Sequence, residues 1–142
     1  FQAIQHIQVQ IGKVVIQSSV YETEPWGLTD QANFYNMAVK VHSTKNPEQV
    51  CLEAKAIEKE MQRIKELKWG PRNIDIDLLY CDDIILQTET LTIPHPQIYN
   101  RNFVLIPMME IAGEWMDPVK NMTITELYDQ CQDTNEVFIL NE

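Results

Sequence analysis

The sequence is poor in positive charge and contains no long hydrophobic run. Eleven lysines and arginines stand against 21 aspartates and glutamates, so the formal net charge of the 142-residue chain is −10 at pH 7. Such a field repels nucleic-acid backbones and anionic lipid headgroups. No apolar run approaches the roughly 20 residues that a membrane-spanning helix needs. We therefore expect a protein that binds neither nucleic acid nor membranes.

Cysteine and glycine are also scarce. The three cysteines, Cys51, Cys81 and Cys131, form neither a CxxC pair nor a cluster with zinc-ligand spacing, which favours a reducing compartment such as the cytoplasm. The sequence has no GxGxxG and no GxxxxGK[ST] motif, which disfavours phosphate binding by a glycine-rich loop and P-loop kinase chemistry. A nucleotide bound to this chain would have to be held by other groups.

Helix-like and strand-like patterns are intermixed along the chain, and the connections between them are short. The patterns predict helices over 1–11, 46–64, 103–112 and 124–131, and extended segments over 13–21, 33–43, 74–80, 84–96 and 136–140. Asn46, Asn102 and Thr123 are the predicted helix caps, and Pro107 would be tolerated only in or near the first turn of its helix. We expect one α+β domain over residues 1–142, with two or three layers.

The segment KWGPRNIDIDLLY, residues 68–80, places two carboxylates inside a predicted strand. Residues i and i+2 of a strand point to one face, so Asp75 and Asp77 would emerge side by side, about 7 Å apart. Like charges at this spacing repel unless a cation lies between them, and carboxylates, water and substrate phosphates are the usual ligands of Mg²⁺. A strand with one solvated face would show the same alternation, and the pattern alone leaves the two interpretations about even.

Four basic residues before the two aspartates favour the metal interpretation. Arg63, Lys65 and Lys68 lie in or beside a predicted loop over 65–72, and Arg72 lies three residues before Asp75. Arginine suits forked phosphate contacts and lysine suits point-charge contacts. A polyphosphate bridged through Mg²⁺ would explain why both signs of charge converge here.

Other polar and aromatic residues have weaker signals. His95 could donate to a phosphate, although a lone loop histidine is more often incidental. Phe34 and Phe103 would ordinarily be core aromatics. The amide of Asn36 lies inside a predicted strand, where it could offer a ligand both a donor and an acceptor.

The stretch WGPRNIDIDLL resembles the signature of the 6-hydroxymethyl-7,8-dihydropterin pyrophosphokinases of folate biosynthesis. The resemblance continues, in order, through SSVYETEPWG, NFYNMAVKV and LTIPHPQIYNRNFVLIPMMEIA, and so covers most of the chain. It implies a ferredoxin-like α+β core, with a largely antiparallel sheet and helices packed on its faces. It also implies a cytoplasmic monomer that transfers pyrophosphate from ATP to the pterin hydroxymethyl group and releases AMP.

The resemblance implies a role for each matching residue. Asp75 and Asp77 match the ligands of two Mg²⁺ ions, and Arg63 and Arg72 match arginines that engage ATP, so these four are the expected catalytic residues. Further ATP contacts are expected at Glu58, Lys65, Trp69, Leu78, Thr92, His95 and Arg101. Pterin contacts are expected at Thr23, Pro25, Trp26, Phe34, Asn36 and Phe103, with the two phenylalanines stacking on the ring.

The chain departs from the family pattern in places. The strand and Gly-Ser-Asn turn that precede the first helix in the family have no counterpart here. Phe34 stands where tyrosine is also common, and Lys65 stands where arginine is often found, which exchanges a fork for a point charge. Two other functions stay open at this point: a nucleotidyl- or glycosyltransferase that uses the same DxD, and a catalytically inactive pterin-binding module.

Overall fold

The structure is a computed structural model that describes residues 2–23, 34–68 and 74–140, with the backbone alone for residues 64–68. The predicted α+β class is confirmed, because four α-helices and several short strands are interleaved along these residues. The helices are α1 (Gln2–Gln10), α2 (Pro47–Lys68), α3 (Asn102–Ala112) and α4 (Ile124–Gln130), with a short 3-10 helix at Ile98–Asn100. The strands are β1 (Lys13–Gln17), β2 (Tyr21–Thr23), β3 (Phe34–Asn36), β4 (Val39–His42), β5 (Leu86–Gln87), β6 (Thr92–Ile93) and β7 (Val137–Ile139).

The strands form small sheets. Strand β2 is the centre of a three-stranded sheet and pairs antiparallel with β3 on one side and with β7 on the other. Strands β5 and β6 form an antiparallel hairpin, and β1 pairs with β4. The ferredoxin-like arrangement stays a prediction. No helix among the described residues is long and apolar enough to cross a membrane.

The chain divides into two compact units. The first unit consists of Phe1–Val15 and Val41–His95, and the second consists of Ile16–Lys40 and Pro96–Glu142. The expectation of a single domain over residues 1–142 stays a prediction.

The core of the first unit lies between α1 and α2. Ile7 and Ile11 follow each other at the i, i+4 spacing of one helix face, and they pack with Ala54 and Ile57 of α2. Gly12 ends α1 next to β4, where a Cβ would overlap the carbonyl oxygen of His42. The sequence therefore needs glycine at this position for close approach of the backbone.

Helix α2 begins where it was predicted to begin. The side chain of Asn46 accepts from the backbone N–H of Gln49 at 2.9 Å, and the Gln49 side chain accepts from the Asn46 N–H at 3.0 Å. The predicted end at residue 64 is wrong, because the helix continues to Lys68. The stretch QRIKELK consists almost wholly of good helix formers, and the first glycine comes only at position 70.

Segment 74–80, here called the aspartate segment, was predicted to be a strand, and the structure assigns it no ladder among the described residues. The predicted alternation is nevertheless present: Asp75 and Asp77 are exposed, whereas Ile74 and Ile76 are half-buried. The alternating order of polar and apolar residues determines which side chains are buried. A β-ladder also needs the backbone of a neighbouring strand as a hydrogen-bonding partner. The prediction was thus right about the faces and wrong about the ladder.

In the second unit, helix α3 starts differently from the prediction. Arg101 is the N-cap and makes no side-chain cap hydrogen bond, while Asn102, the predicted cap, is the first helical residue. The Asn102 side chain instead donates to the backbone carbonyls of Asp133 and Asn135. Pro107 lies in the second turn, so it offers no N–H to the carbonyl of Phe103.

Two other predictions in the second unit are confirmed. Thr123 and Glu126 form a reciprocal capping box at the start of α4, with N···O distances of 3.2 and 2.9 Å. The terminal extended segment includes β7, which pairs with β2.

Candidate functional site

The aspartate segment is attached to α2 by one short hydrogen bond. The backbone N–H of Ile76, between Asp75 and Asp77, donates to Oε2 of Glu58 at 2.7 Å. Ile57, the residue before Glu58, is fully buried in the core of the first unit, and Ile76 packs against the same core. Helix α2 thus holds, through this hydrogen bond and the shared core, the backbone from which the two exposed carboxylates project.

The chemistry of these carboxylates fits a hard divalent cation. No group of three or more histidine, cysteine or acidic side chains suited to a metal lies within the described parts of the chain. Mg²⁺ is usually held by one or two carboxylates and keeps water and substrate phosphates as its remaining ligands, so Asp75 and Asp77 suit it.

Three further predicted nucleotide contacts lie near the end of the first unit. The backbone N–H of His95 donates to the carbonyl of Leu79 at 2.9 Å, which joins His95 to the aspartate segment. Leu78 is half-buried in that segment, and Thr92 is half-buried on β6. The backbone therefore holds His95 beside Leu79, the residue that follows Leu78.

The basic residues before the segment are placed differently from the prediction. Arg63, Lys65 and Lys68 were assigned to a loop or its edge, and all three belong to α2. The Arg63 guanidinium is exposed and donates to Glu60 at 2.6 Å, one helical turn back, and this hydrogen bond lowers the pKa of Glu60. Some predicted site residues lie outside the described residues, namely Pro25, Trp26, Trp69 and Arg72.

In the second unit, three predicted pterin contacts share one face of the β3–β2–β7 sheet. Thr23 pairs directly with Phe34, and Asn36 follows Phe34 at the i+2 spacing of a strand face. The Asn36 amide donates to the Thr23 hydroxyl at 3.3 Å. Thr23 is buried, whereas Phe34 is 54% exposed, so the interpretation of Phe34 as a core aromatic is wrong.

The remaining predicted contacts lie at the start of α3, in residues 99–103, here called the arginine segment. The Arg101 guanidinium lies over the ring of half-buried Phe103, 5.7 Å from its centroid. Contact of this kind is favourable because a cation is attracted to the face of an aromatic ring. The structure therefore joins a predicted phosphate contact to a predicted pterin contact.

Sequence reasoning missed two carboxylates that hold the arginine segment. Asp117 is fully buried, and it accepts from the Tyr99 hydroxyl at 2.9 Å and from the N–H groups of Val119 and Lys120 at 2.8 Å each. Burial of the Tyr99 hydroxyl, and then its hydrogen bond to Asp117, raise the pKa of Tyr99. The only signal for Asp117 was its place before Pro118, a pair typical of a turn. Asp133, which contacts Asn102, had no local signal.

An open depression of about 470 Å³ lies on the second unit. None of the predicted site residues lines this depression, and we do not assign the candidate site to it. Its lining consists of Tyr99, Asn100, Gln130, Gln132, Asp133 and Thr134.

Residues 1–113 match the family described as 7,8-dihydro-6-hydroxymethylpterin-pyrophosphokinase. The chain belongs to this family. Among its relatives, a 2-amino-4-hydroxy-6-hydroxymethyldihydropteridine pyrophosphokinase of Bacillus subtilis is 45% identical over 110 residues, which are 78% of this chain and 64% of that protein. The Haemophilus influenzae protein of the same name is 38% identical over 120 residues, which are 84% of this chain and 74% of that protein.

A folic acid synthesis protein of Pneumocystis carinii is 37% identical over 131 residues, which are 92% of this chain but 18% of that protein. The chain thus spans less than two thirds of both the Bacillus and the Pneumocystis relatives. The resemblance noted in the sequence is confirmed at the level of the family.

Proposed function

We propose that the protein transfers the pyrophosphoryl group of ATP to 6-hydroxymethyl-7,8-dihydropterin in tetrahydrofolate biosynthesis. The observation that carries this proposal is the exposed pair Asp75 and Asp77, anchored through Ile76 to Glu58, in a chain of the pyrophosphokinase family. The names of the bacterial relatives describe the same activity. We propose a cytoplasmic monomer that acts on these two small substrates.

In the proposed reaction, the pterin hydroxymethyl oxygen attacks the β-phosphorus of ATP. The bond from that phosphorus to the oxygen bridging the α-phosphate breaks, and AMP leaves with the electron pair of this bond. The hydroxyl proton passes to solvent, because the transition state is loose and the chain needs no dedicated base. The protein accelerates such a transfer chiefly by positioning the reactants and neutralising charge.

Asp75 and Asp77 would hold two Mg²⁺ ions. When bound, the ions neutralise phosphate charge and help orient the transferred group. Two observations support this role for the carboxylates. Both side chains are exposed, and the hydrogen bond from Ile76 to Glu58 positions the backbone between them. Glu58 therefore contributes by orientation, and we propose Thr92, His95 and Leu78 as further residues on the nucleotide side.

Basic residues would engage the phosphate chain. Arg63 now contacts Glu60 at the protein surface, and exposed ion pairs of this kind are weak in water. A triphosphate could therefore replace Glu60 as the partner of Arg63 at little cost. We propose the same type of contact for Arg72, Lys65 and Arg101, and we propose Trp69 as a contact to ATP.

The pterin would stack between Phe34 and Phe103. The exposed ring of Phe34 is available for stacking, and its burial against a flat ligand is favourable. The hydrogen bond to Thr23 orients the Asn36 amide so that its other atoms can bind the edge of the ring. We propose that Pro25 and Trp26 contribute further contacts to the pterin.

The test is phosphorus NMR on the protein mixed with ATP, Mg²⁺ and 6-hydroxymethyl-7,8-dihydropterin. We expect AMP and a pterin diphosphate, and we expect that omitting either Mg²⁺ or the pterin prevents their formation. Formation of ADP would contradict the proposed transfer. Pterin binding without ATP consumption would instead identify an inactive binding module.

A further inference from the structure

Helix α3 is capped by a distant residue. Arg101, its N-cap, makes no side-chain cap hydrogen bond, and Oδ2 of Asp133 accepts from the backbone N–H of Asn102 at 3.1 Å. The Asn102 amide donates in return to the carbonyl of Asp133 at 3.2 Å and to that of Asn135 at 2.6 Å. A carboxylate at this position also interacts favourably with the positive end of the helix dipole.

The stretch that supplies this cap is itself held in shape. Oδ1 of Asp133 accepts from the N–H of Asn135 at 3.0 Å, so both carboxylate oxygens of Asp133 are used. Two residues later the chain enters β7, where Val137 pairs with Thr23 of β2. The same short stretch therefore contacts the start of α3 and the strand that carries Thr23.

The residues on either side of Asn102 are Arg101 and Phe103, which are in contact with each other. A change in the position of the Asn102 backbone must move both of them, because they are its covalent neighbours. Asp133 itself lies beyond residue 113, where the match to the family ends. Asp133 therefore lies outside the residues that the family model matches, whereas Arg101 and Phe103 lie within them.

We propose that Asp133 is a positioning residue for pterin binding, which acts by fixing Phe103 through the Asn102 backbone. This inference rests on the proposed function, in which Phe103 stacks on the pterin. Asp133 touches neither substrate in this scheme. In this proposal, the effect of Asp133 on pterin binding passes through Phe103, whereas a role in stability alone would not depend on the Phe103 ring.

The first experiment compares Asp133→Asn with Asp129→Asn as a matched control. Both changes remove one negative charge, but Asp129 is exposed on α4 and no described residue donates a hydrogen bond to it. Calorimetry would measure the Kd of 6-hydroxymethyl-7,8-dihydropterin, and thermal unfolding would be measured for each variant. Because a charge-assisted hydrogen bond is lost, we expect Asp133→Asn to raise the Kd about tenfold, with the control unchanged.

The second experiment separates positioning from general stability by a double-mutant cycle. Phe103→Ala removes the proposed stacking ring, so Asp133→Asn added to it should change the pterin Kd by less than about twofold. Equal effects of Asp133→Asn in both backgrounds would overturn the proposal. Should Asp133→Asn fail to fold, Asn102→Ala in the same cycle removes the two side-chain hydrogen bonds to the carbonyls of Asp133 and Asn135, and alanine favours a helix. It tests whether the 133–135 stretch acts on pterin binding through Phe103, and equal effects in both backgrounds would again overturn the proposal.

The outcomes distinguish this inference from the proposed function. Pterin binding to the unaltered protein, with a Kd that Asp133→Asn leaves unchanged, would refute the positioning role alone. Absence of pterin binding to the unaltered protein would refute the proposed function, and the positioning role with it. If Asp133→Asn raises the pterin Kd in the unaltered protein but not in the Phe103→Ala background, the result would support both the proposed function and the positioning role.

Discussion

Two regions of the molecule use aspartate in opposite ways. In the aspartate segment, Asp75 and Asp77 are exposed on a backbone held by one hydrogen bond to Glu58. Around the arginine segment, Asp117 is fully buried and its carboxylate accepts from Tyr99, Val119 and Lys120, and Asp133 uses both carboxylate oxygens to accept backbone N–H groups.

The difference follows from solvation. A buried carboxylate must replace its lost hydration with protein donors, so its oxygens are committed to the fold. An exposed carboxylate keeps water, which a cation can displace. Substitution in the first region should therefore reduce activity with little change in stability, whereas substitution of Asp117 should first reduce stability.

The largest expected effect belongs to Asp77. Asp77→Asn should lower turnover of the pyrophosphoryl transfer by roughly 10³-fold, because it removes a carboxylate proposed to hold Mg²⁺, whose positive charge would stabilise the transition state. The melting temperature should stay close to that of the unaltered protein, since the side chain is exposed. Asp83→Asn, an exposed aspartate of the same unit, is the control and should keep its activity. Turnover of Asp77→Asn near the unaltered rate would exclude the aspartate pair as the metal site.

Asp117 provides the opposite half of the comparison. Asp117→Ala removes the acceptor of the Tyr99 hydroxyl and of two backbone N–H groups, and should lower the free energy of unfolding by roughly 3 kcal/mol. Urea denaturation measures this value, with Asp129→Ala as the exposed control. If Asp117→Ala lowers the free energy of unfolding no more than Asp129→Ala does, burial of the carboxylate would not explain the difference between the two regions.

Glu58 tests whether the aspartate segment needs its anchor. Glu58→Ala removes the hydrogen bond from Ile76, and the loosened backbone should lower kcat by about 10- to 100-fold. Glu58→Gln should lose much less, because its amide oxygen can still accept from Ile76. Steady-state kinetics would measure kcat for both variants and for the unaltered protein. Equal losses would assign the effect to the negative charge of Glu58 rather than to the hydrogen bond.

The smallest expected effect concerns the exposed Glu110 on α3. Its carboxylate accepts from the Tyr21 hydroxyl at 2.5 Å and from Ser19, and these hydrogen bonds, led by that of Tyr21, lower the pKa of Glu110 below its usual 4.5. A lowered folded-state pKa means that this stabilisation is fully present above pH 4.5 and is lost as the pH falls through the folded-state value. Because the pair is largely exposed, it should contribute less than about 1 kcal/mol.

Tyr21→Phe checks this pH dependence. Urea denaturation across acidic pH should show a stability difference from the unaltered protein that is present near neutrality and shrinks in acid. At alkaline pH the direction of the pH dependence reverses, since burial and then Glu110 raise the pKa of Tyr21 from 10.0 to about 12. The stabilisation is complete below pH 10 and declines as the pH rises toward 12. A difference that is constant with pH would contradict the role of this hydrogen bond.

Predictions from the sequence succeeded where the signal is local. The cap at Asn46 and the capping box at Thr123 depend on residues three apart, and the exposure of Asp75 and Asp77 depends on alternation within one segment. Predictions failed where a distant partner decides. Asn102 has the residue type of a cap, but carbonyls 31 and 33 residues away bind its amide.

By itself, the sequence determined the family, the α+β class, most helix starts and the two aspartates that project from the aspartate segment. These features arise from residue order and from contacts between near neighbours, which short patterns encode. Only the tertiary structure decided that Glu58 anchors Ile76, that Asp117 holds Tyr99 and that Asp133 caps α3, over separations of 18, 18 and 31 residues. Such contacts exist only once burial of apolar surface has brought distant segments together.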